Sequence, residues 1–419
     1  MSERFARLAR WYGYLALIGF NLGLLLVCLN LALAAYGALN PAALPTPAPP
    51  NEQNLTIRHD SGGWQLLGNA DWDALRAVHA SLSPADMVWM LIEYNNVMAC
   101  DETLGWRVPP YAGRFHTQHP AGFRAGDDQA PWPPPADAVT IFVFGGSTTY
   151  GTHLPGAATI PSHLQRDLRA TFATDRIVVY NFGAPAYIST QERLKLAELL
   201  AAGHVPDIAI FIDGLNDSNF ATRTLADIQR PCNATARTLR ETLNCDWGEW
   251  CWPLQRAWGA AWATEDDAPS AFAVNPPLAE VGPLDDPALA AAVVARWLDN
   301  RAGIEALAAK YGLRTLYVLQ PTPGFAYDLD HHLWLEGPQP TVEDLGTWGR
   351  TRYTYPLWEV RAEGAEWAHN FSNLARIAQD YEQNIWVDQI HYTDAFSAQI
   401  AAFIRLELDT RGWVAEALR

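Results

Sequence analysis

The sequence predicts an α/β protein, a three-layer sandwich around a central parallel sheet, preceded by one N-terminal transmembrane helix. Three observations carry this expectation. Short apolar runs rich in β-branched and aromatic residues recur after residue 138. Segments of helical length and period separate them, and strands alternating with helices build parallel sheets covered on both faces. The third is an uncharged apolar stretch, Trp11 to Leu39, near the start of the chain.

That stretch comes first in chain order. As a helix, Tyr12 to Ala38 would run roughly 40 Å, more than the ~30 Å hydrocarbon core of a bilayer. Arg4, Arg7 and Arg10 precede it, and no Lys or Arg follows until Arg58. The positive-inside rule then keeps the N-terminus cytoplasmic and exports the rest, giving a single-pass membrane protein with an extracytoplasmic domain. A cleaved signal peptide ending near Ala32-Leu-Ala34 is the competing reading; the length of the apolar run favours an uncleaved anchor. Residues 1–39 are thus read as cytoplasmic tip and anchor, and the Pro-rich residues 40–50 as an extended linker.

Residues 51–135 read as a lead region that packs on the main domain. A helix is expected from Pro84 to Val97, followed by hairpins and loops through "DETLGWRVPPYAGRFHTQHPAGFR". The main domain, 136–419, has expected strands at Val139 to Phe144, Ile177 to Asn181, Asp207 to Ile212 and Leu313 to Gln320. Its helices are expected at Ile160 to Thr171, Thr190 to Ala202, Leu289 to Tyr311 and Ser397 to Leu408. Residues 219–288 break the alternation. They hold three cysteines, several prolines and "DWGEWCW", and read as an insertion or cap over the carboxyl edge of the sheet.

Composition excludes some partners. The net charge is −17, and Lys195 and Lys310 are the only lysines, so no basic surface exists for nucleic acid. Cys100, Cys232, Cys245 and Cys251 lie beyond the anchor without a CxxC pair. Disulfides in an oxidising compartment are the better reading, with three pairings open. Asp328, Asp330, His331 and His332 cluster in sequence, but consecutive histidines point apart, which argues against a metal site. His116, His119 and His153 lack partner spacing and read as structural. Asp246 and Glu249 read as loop acidity. No metal or organic cofactor is called for, and the sequence leaves the oligomeric state open.

The chemistry starts at "FVFGGSTTYG", where the strand from Val139 stops at Gly145, Gly146 and Ser147. A serine lifted from a strand end is a nucleophile position. Asp388 and His391, three apart in "VDQIHYTD", supply a base and an acid to orient it. Asn216 in "DGLND" and the turn in "NFGAPA" follow two further strands and offer donors for an oxyanion, so four strand ends converge on one crevice.

In these blocks, taken in order, the chain resembles the SGNH (GDSL-like) hydrolase superfamily. "FGGSTTYG" matches its first block and makes Ser147 the nucleophile, with Gly146 in place of the Asp of the better-known form. "GLND" gives Asn216, and "DQIH" gives Asp388 and His391. In "NFGAPA", Gly183 matches the earlier glycine of the second block, while Ala186 stands where the family usually has the glycine whose N–H serves the oxyanion. The segments "LGWR", "AGFR" and "LQPT" are similar to bacterial members with an extended lead. The resemblance implies a flavodoxin-like sheet and a Ser147–His391–Asp388 triad, with an oxyanion hole from Ser147, Ala186 and Asn216. With the expected anchor, it implies an exported hydrolase of an ester-bearing small molecule, lipid or glycan. Transfer of the acyl group to a polysaccharide is the alternative within this chemistry, and a glycan-binding protein the alternative outside it.

Overall fold

The computed structural model describes residues 56–58, 64–66, 72–80, 82–94, 98–126, 128–222, 283–335, 337, 339–362 and 369–419, with Asn21 and Leu25. The chain divides into two compact units. One, Met1–Pro50 with Asn233–Ala273, lies outside the described residues apart from Asn21 and Leu25. The expected anchor, apart from those two residues, therefore lies outside them, as do Cys232, Cys245, Cys251 and "DWGEW". Among the described residues no helix is long and apolar enough to cross a membrane.

The second unit, Asn51–Cys232 with Val274–Arg419, contains a five-stranded parallel sheet. Its strands are β1 (Val139–Gly145), β2 (Ile177–Asn181), β3 (Ile208–Asp213), β4 (Arg314–Leu319) and β5 (Phe371–Asn373). Their spatial order is 2-1-3-4-5, and every pairing is parallel. This is the flavodoxin-like order of doubly wound folds, with its switch point between β1 and β3.

Alternation within each strand explains the three layers. Val139, Ile141 and Val143 of β1, Ile208, Ile210 and Ile212 of β3, and Leu316 and Val318 of β4 enter one aliphatic core. Helices α2 (Ile160–Phe172) and α7 (Asp394–Arg411) close it, through Leu164 and Leu168 and through Phe396, Ile400 and Ile404. The intervening residues Phe142, Phe144, Phe211 and Tyr317 face the other side. There they stack: Phe144 on Phe211 at 5.0 Å and Phe211 on Tyr317 at 5.4 Å. Helices α3 (Ser189–Ala201), α5 (Pro287–Tyr311) and α6 (Thr351–Ala362) cover that aromatic face. Burial on both faces produces the continuous apolar runs that the sequence shows.

Short helices start the site loops. They are α1 (Ser147–Tyr150), directly after β1, and α4 (Leu215–Asn219), after β3. In the lead region, a helix at Pro84–Tyr94 and short hairpins appear where expected. Glu93 clamps one of these hairpins by accepting the N–H groups of Arg114, Phe115 and His116. Strand β5 and helix α6 were not expected. β5 has three residues, too few to show a period, and α6 carries Pro356 within it.

Candidate active site

The Ser147 turn sits at the switch point. β1 runs fully buried to Gly145, and Ser147 opens the single turn α1, closed by the Gly151 N–H on the Ser147 carbonyl at 2.9 Å. A Cβ on Gly146 would lie 2.1 Å from Asn216 Nδ2 and 3.4 Å from the Tyr187 carbonyl oxygen. Here the residue before Ser147 is glycine because the Asn216 amide fills the space beside it.

His391 comes to Ser147 from the opposite end of the chain. Trp386 and Tyr392 bridge, and the Val387 N–H donates to the His391 carbonyl at 2.8 Å, so residues 388–391 form a tight turn. Asp388 Oδ1 closes that turn from within by accepting the Ile390 and His391 N–H groups, both at 2.9 Å. The sequence spacing thus places the acid against its own histidine. His391 Nδ1 donates to Asp388 Oδ2 at 2.6 Å, and Ser147 Oγ donates to His391 Nε2 at 2.7 Å. His391 is 1% exposed and Ser147 5%. Burial alone would raise the Asp388 pKa. The charge of His391 and the N–H donors of His153 and His391 outweigh it and hold the carboxyl well below the usual range.

Asn216, at the start of α4, donates Nδ2–H to the Tyr187 carbonyl at 2.8 Å. That acceptor fixes which way the amide faces, with Oδ1 buried and without a donor among the described residues. Ala186 lies in the adjoining loop. The Tyr187 N–H donates to the Ala184 carbonyl at 3.2 Å, closing a turn with Pro185 second and Ala186 third. Ala186 has φ +59°. Proline followed by a positive φ is the pattern of a type II turn, which ordinarily asks for glycine at the third position. The alanine therefore adopts the conformation a glycine would take. Gly183 pins the loop from below: its N–H donates to Asn181 Oδ1 at 3.0 Å, and Asn181 Nδ2 donates to the Thr149 carbonyl at 2.9 Å.

The structure adds residues that sequence reasoning gave no part. His153, expected to be structural, donates Nδ1–H to the same Asp388 Oδ2 at 2.9 Å. The lead region holds both site loops. Trp106 of "LGWR" donates its indole N–H to the Pro185 carbonyl at 2.9 Å, and Tyr187 returns its hydroxyl to the Trp106 carbonyl at 2.8 Å. Arg124 of "AGFR" is 2% exposed and donates to the carbonyls of Tyr150, Gly151 and Leu154, just past Ser147. His332 stacks on Trp386 and donates from Nε2 to the Gln389 carbonyl at 3.1 Å, inside the Asp388–His391 turn. His331 turns instead toward Asp328, 3.8 Å away. The two histidines diverge, as the sequence implied.

Beneath the Ala186 and Asn216 loops lies a buried acidic group. Asp217 is satisfied by the Ser189 N–H and hydroxyl, at 3.1 and 2.7 Å. Trp297 donates to Asp213 at 3.0 Å. Among the described residues no donor reaches either carboxyl oxygen of Glu192, which is 1% exposed. Burial, then the neighbouring Asp213, push the Glu192 pKa well up, and burial with the Asp217 charge raises Asp213 to about 7. Two neighbouring buried carboxyls with one fixed donor among the described residues favour a proton held between them.

Among the described residues, His153, Asp388 and His391 form the one group of three potential ligands close enough for a metal ion. Their hydrogen bonds already account for the closeness, since both Nδ1 atoms carry protons shared with one carboxylate oxygen.

No family model and no curated protein matches the chain. Solved structures do. A G-D-S-L family lipolytic protein from Veillonella parvula DSM 2008 is 14% identical over 65% of this chain and 100% of its own, with a TM-score of 0.34. A G-D-S-L family protein from Desulfitobacterium hafniense DCB-2 is 12% identical over 64% and 99%, also with a TM-score of 0.34. An acetyl xylan esterase is 11% identical over 64% and 98%, with a TM-score of 0.35. The solved structures that this chain is similar to thus include G-D-S-L lipolytic proteins and an acetyl xylan esterase.

Proposed function

We propose that the chain is a serine ester hydrolase of the SGNH kind. The observation that carries this reading is the unbroken hydrogen-bond series Ser147–His391–Asp388, at 2.7 and 2.6 Å, at the switch point of a doubly wound sheet. Ser147 Oγ attacks the ester carbonyl carbon while His391 Nε2 takes its proton. The negative charge that develops on the carbonyl oxygen is met by the N–H groups of Ser147 and Ala186 and by the second amide hydrogen of Asn216. Collapse breaks the bond to the alcohol, and His391 returns the proton to that leaving oxygen. Water then repeats the sequence on the acyl-Ser147 ester, releasing the acid. Asp388 holds the His391 tautomer and stabilises its cation.

The substrate is an ester on a small molecule, lipid or glycan. Trp11 to Leu39 anchors the enzyme, with its domain outside the cytoplasmic membrane. The test is turnover by full-length protein in detergent. p-Nitrophenyl acetate should be hydrolysed, and Ser147→Ala should remove at least about 1,000-fold of the rate. Full activity in a folded Ser147→Ala protein contradicts the proposal.

A further inference from the structure

We infer that His153 is a positioning residue for this reaction: its Nδ1–H occupies the Asp388 oxygen that receives His391, and so sets the basicity of His391. The inference rests on the hydrolase reading above. Asp388 accepts four hydrogen bonds: two backbone N–H groups on Oδ1 and two imidazole Nδ1–H groups on Oδ2. The shared oxygen cannot give its full acceptor strength to either ring. Three groups face His153 closely. Asp388 is bonded to it, the His391 ring centre lies 6.0 Å away, and His79 from the lead region is close enough for their charges to interact. Asp394 acts on His79 from beyond.

The placement of His153 is built rather than incidental. It has φ +58°, a conformation that non-glycine residues rarely hold unless the surroundings impose it. Arg124 imposes it here, gripping the carbonyls of Tyr150, Gly151 and Leu154 on either side. Leu154 is itself buried against Val387, next to the acid.

The chemical consequence has one sign. A buried histidine beside a carboxylate is pulled toward the imidazolium, which cannot accept the Ser147 proton. A neutral His153 drains acceptor strength from Asp388, and a protonated one adds positive charge nearby. Both lower the proton affinity of His391 relative to a site without His153, which favours the neutral form that accepts the Ser147 proton.

Two substitutions separate this role from mere packing, because asparagine and glycine both tolerate a positive φ. In His153→Asn the amide nitrogen can take the place of Nδ1; in His153→Gly no donor remains. The probe is a fluorophosphonate, and the readout is its second-order rate of reaction with Ser147 in full-length protein, across pH. For His153→Gly we expect the acid limb to move up by about half a pH unit or more. His153→Asn should keep it near wild type. An unmoved limb in His153→Gly, or the same shift in both variants, overturns the inference. Wild-type protein that does not react at Ser147 overturns the hydrolase reading instead. A check independent of folding uses wild-type protein with ¹⁵N-labelled histidine. Two imidazole N–H protons should appear at low field, assigned to His391 and His153; one alone refutes the shared oxygen.

Discussion

Replacing Gly146 with alanine tests whether the Asn216 amide lies against the nucleophile turn and acts there. The new methyl would fall 2.1 Å from Asn216 Nδ2 and 3.1 Å from its Cγ. Carbon and nitrogen in ordinary contact stay about 3.5 Å apart, so the amide must retreat by more than about 1 Å or the turn must shift. The amide has little freedom, since its Nδ2 is committed to the Tyr187 carbonyl at 2.8 Å. A misplacement of about 1 Å costs roughly 100-fold in rate, or about 2.7 kcal/mol of transition-state stabilisation. Asn216→Ala should cost about 100- to 1,000-fold in kcat with KM little changed, because the oxyanion exists only in the transition state. The double variant decides the matter. Once Asn216 is alanine the obstacle is gone, so adding Gly146→Ala should cost less than about 3-fold. The assay is initial-rate hydrolysis of a p-nitrophenyl ester, with thermal melts on every variant. If the two losses multiply, the methyl acts elsewhere; if Gly146→Ala keeps full kcat, Asn216 stabilises no oxyanion.

Other expectations follow from single groups. Ala186 sits at φ +59° in a type II turn, so Ala186→Gly should raise the melting temperature by relieving about 1 kcal/mol of strain while keeping the N–H; a clear loss of stability would contradict the turn assignment. The Glu192–Asp213 pair has folded-state pKa values above the ~4 of an unfolded carboxyl. Its stabilisation is therefore complete below about pH 4 and is lost as pH rises through the folded value, about 7 for Asp213. Melting temperature should fall between about pH 5 and pH 8, and Glu192→Gln, which donates to Asp213 without titrating, should flatten that fall. An unchanged pH profile in the variant would rule out the shared proton. Asp388 contributes with the opposite sign. Its pKa is depressed, so its share is present above about pH 4 and lost on further acidification.

The sheet was legible because four of its strands are buried on both faces and so appear as unbroken apolar runs. The Asp388–His391 spacing was legible because one turn brings the carboxylate to its own histidine. What stayed hidden depends on long-range contacts to backbone carbonyls, which carry no residue code. "LGWR" and "AGFR" stand out by resemblance, but the roles of Trp106 and Arg124 stay hidden until their partners, 79 and 26–30 residues away, are known. His153 has no spacing signature because the loop conformation, not the period, aims it at Asp388. Glu192 resembles any glutamate in the first turn of a helix, and only packing against the sheet reveals it as buried. Ala186 hid a glycine-like conformation behind an ordinary residue type.

The central claim is that Ser147, driven by His391, is the nucleophile. It is met most directly by treating the full-length protein with a fluorophosphonate and mapping the modified peptide by mass spectrometry. The account predicts one adduct, on Ser147 within "FGGSTTYG", absent in Ser147→Ala and slowed at least about 1,000-fold in His391→Ala. An adduct on another serine, or undiminished labelling in either variant, would contradict it.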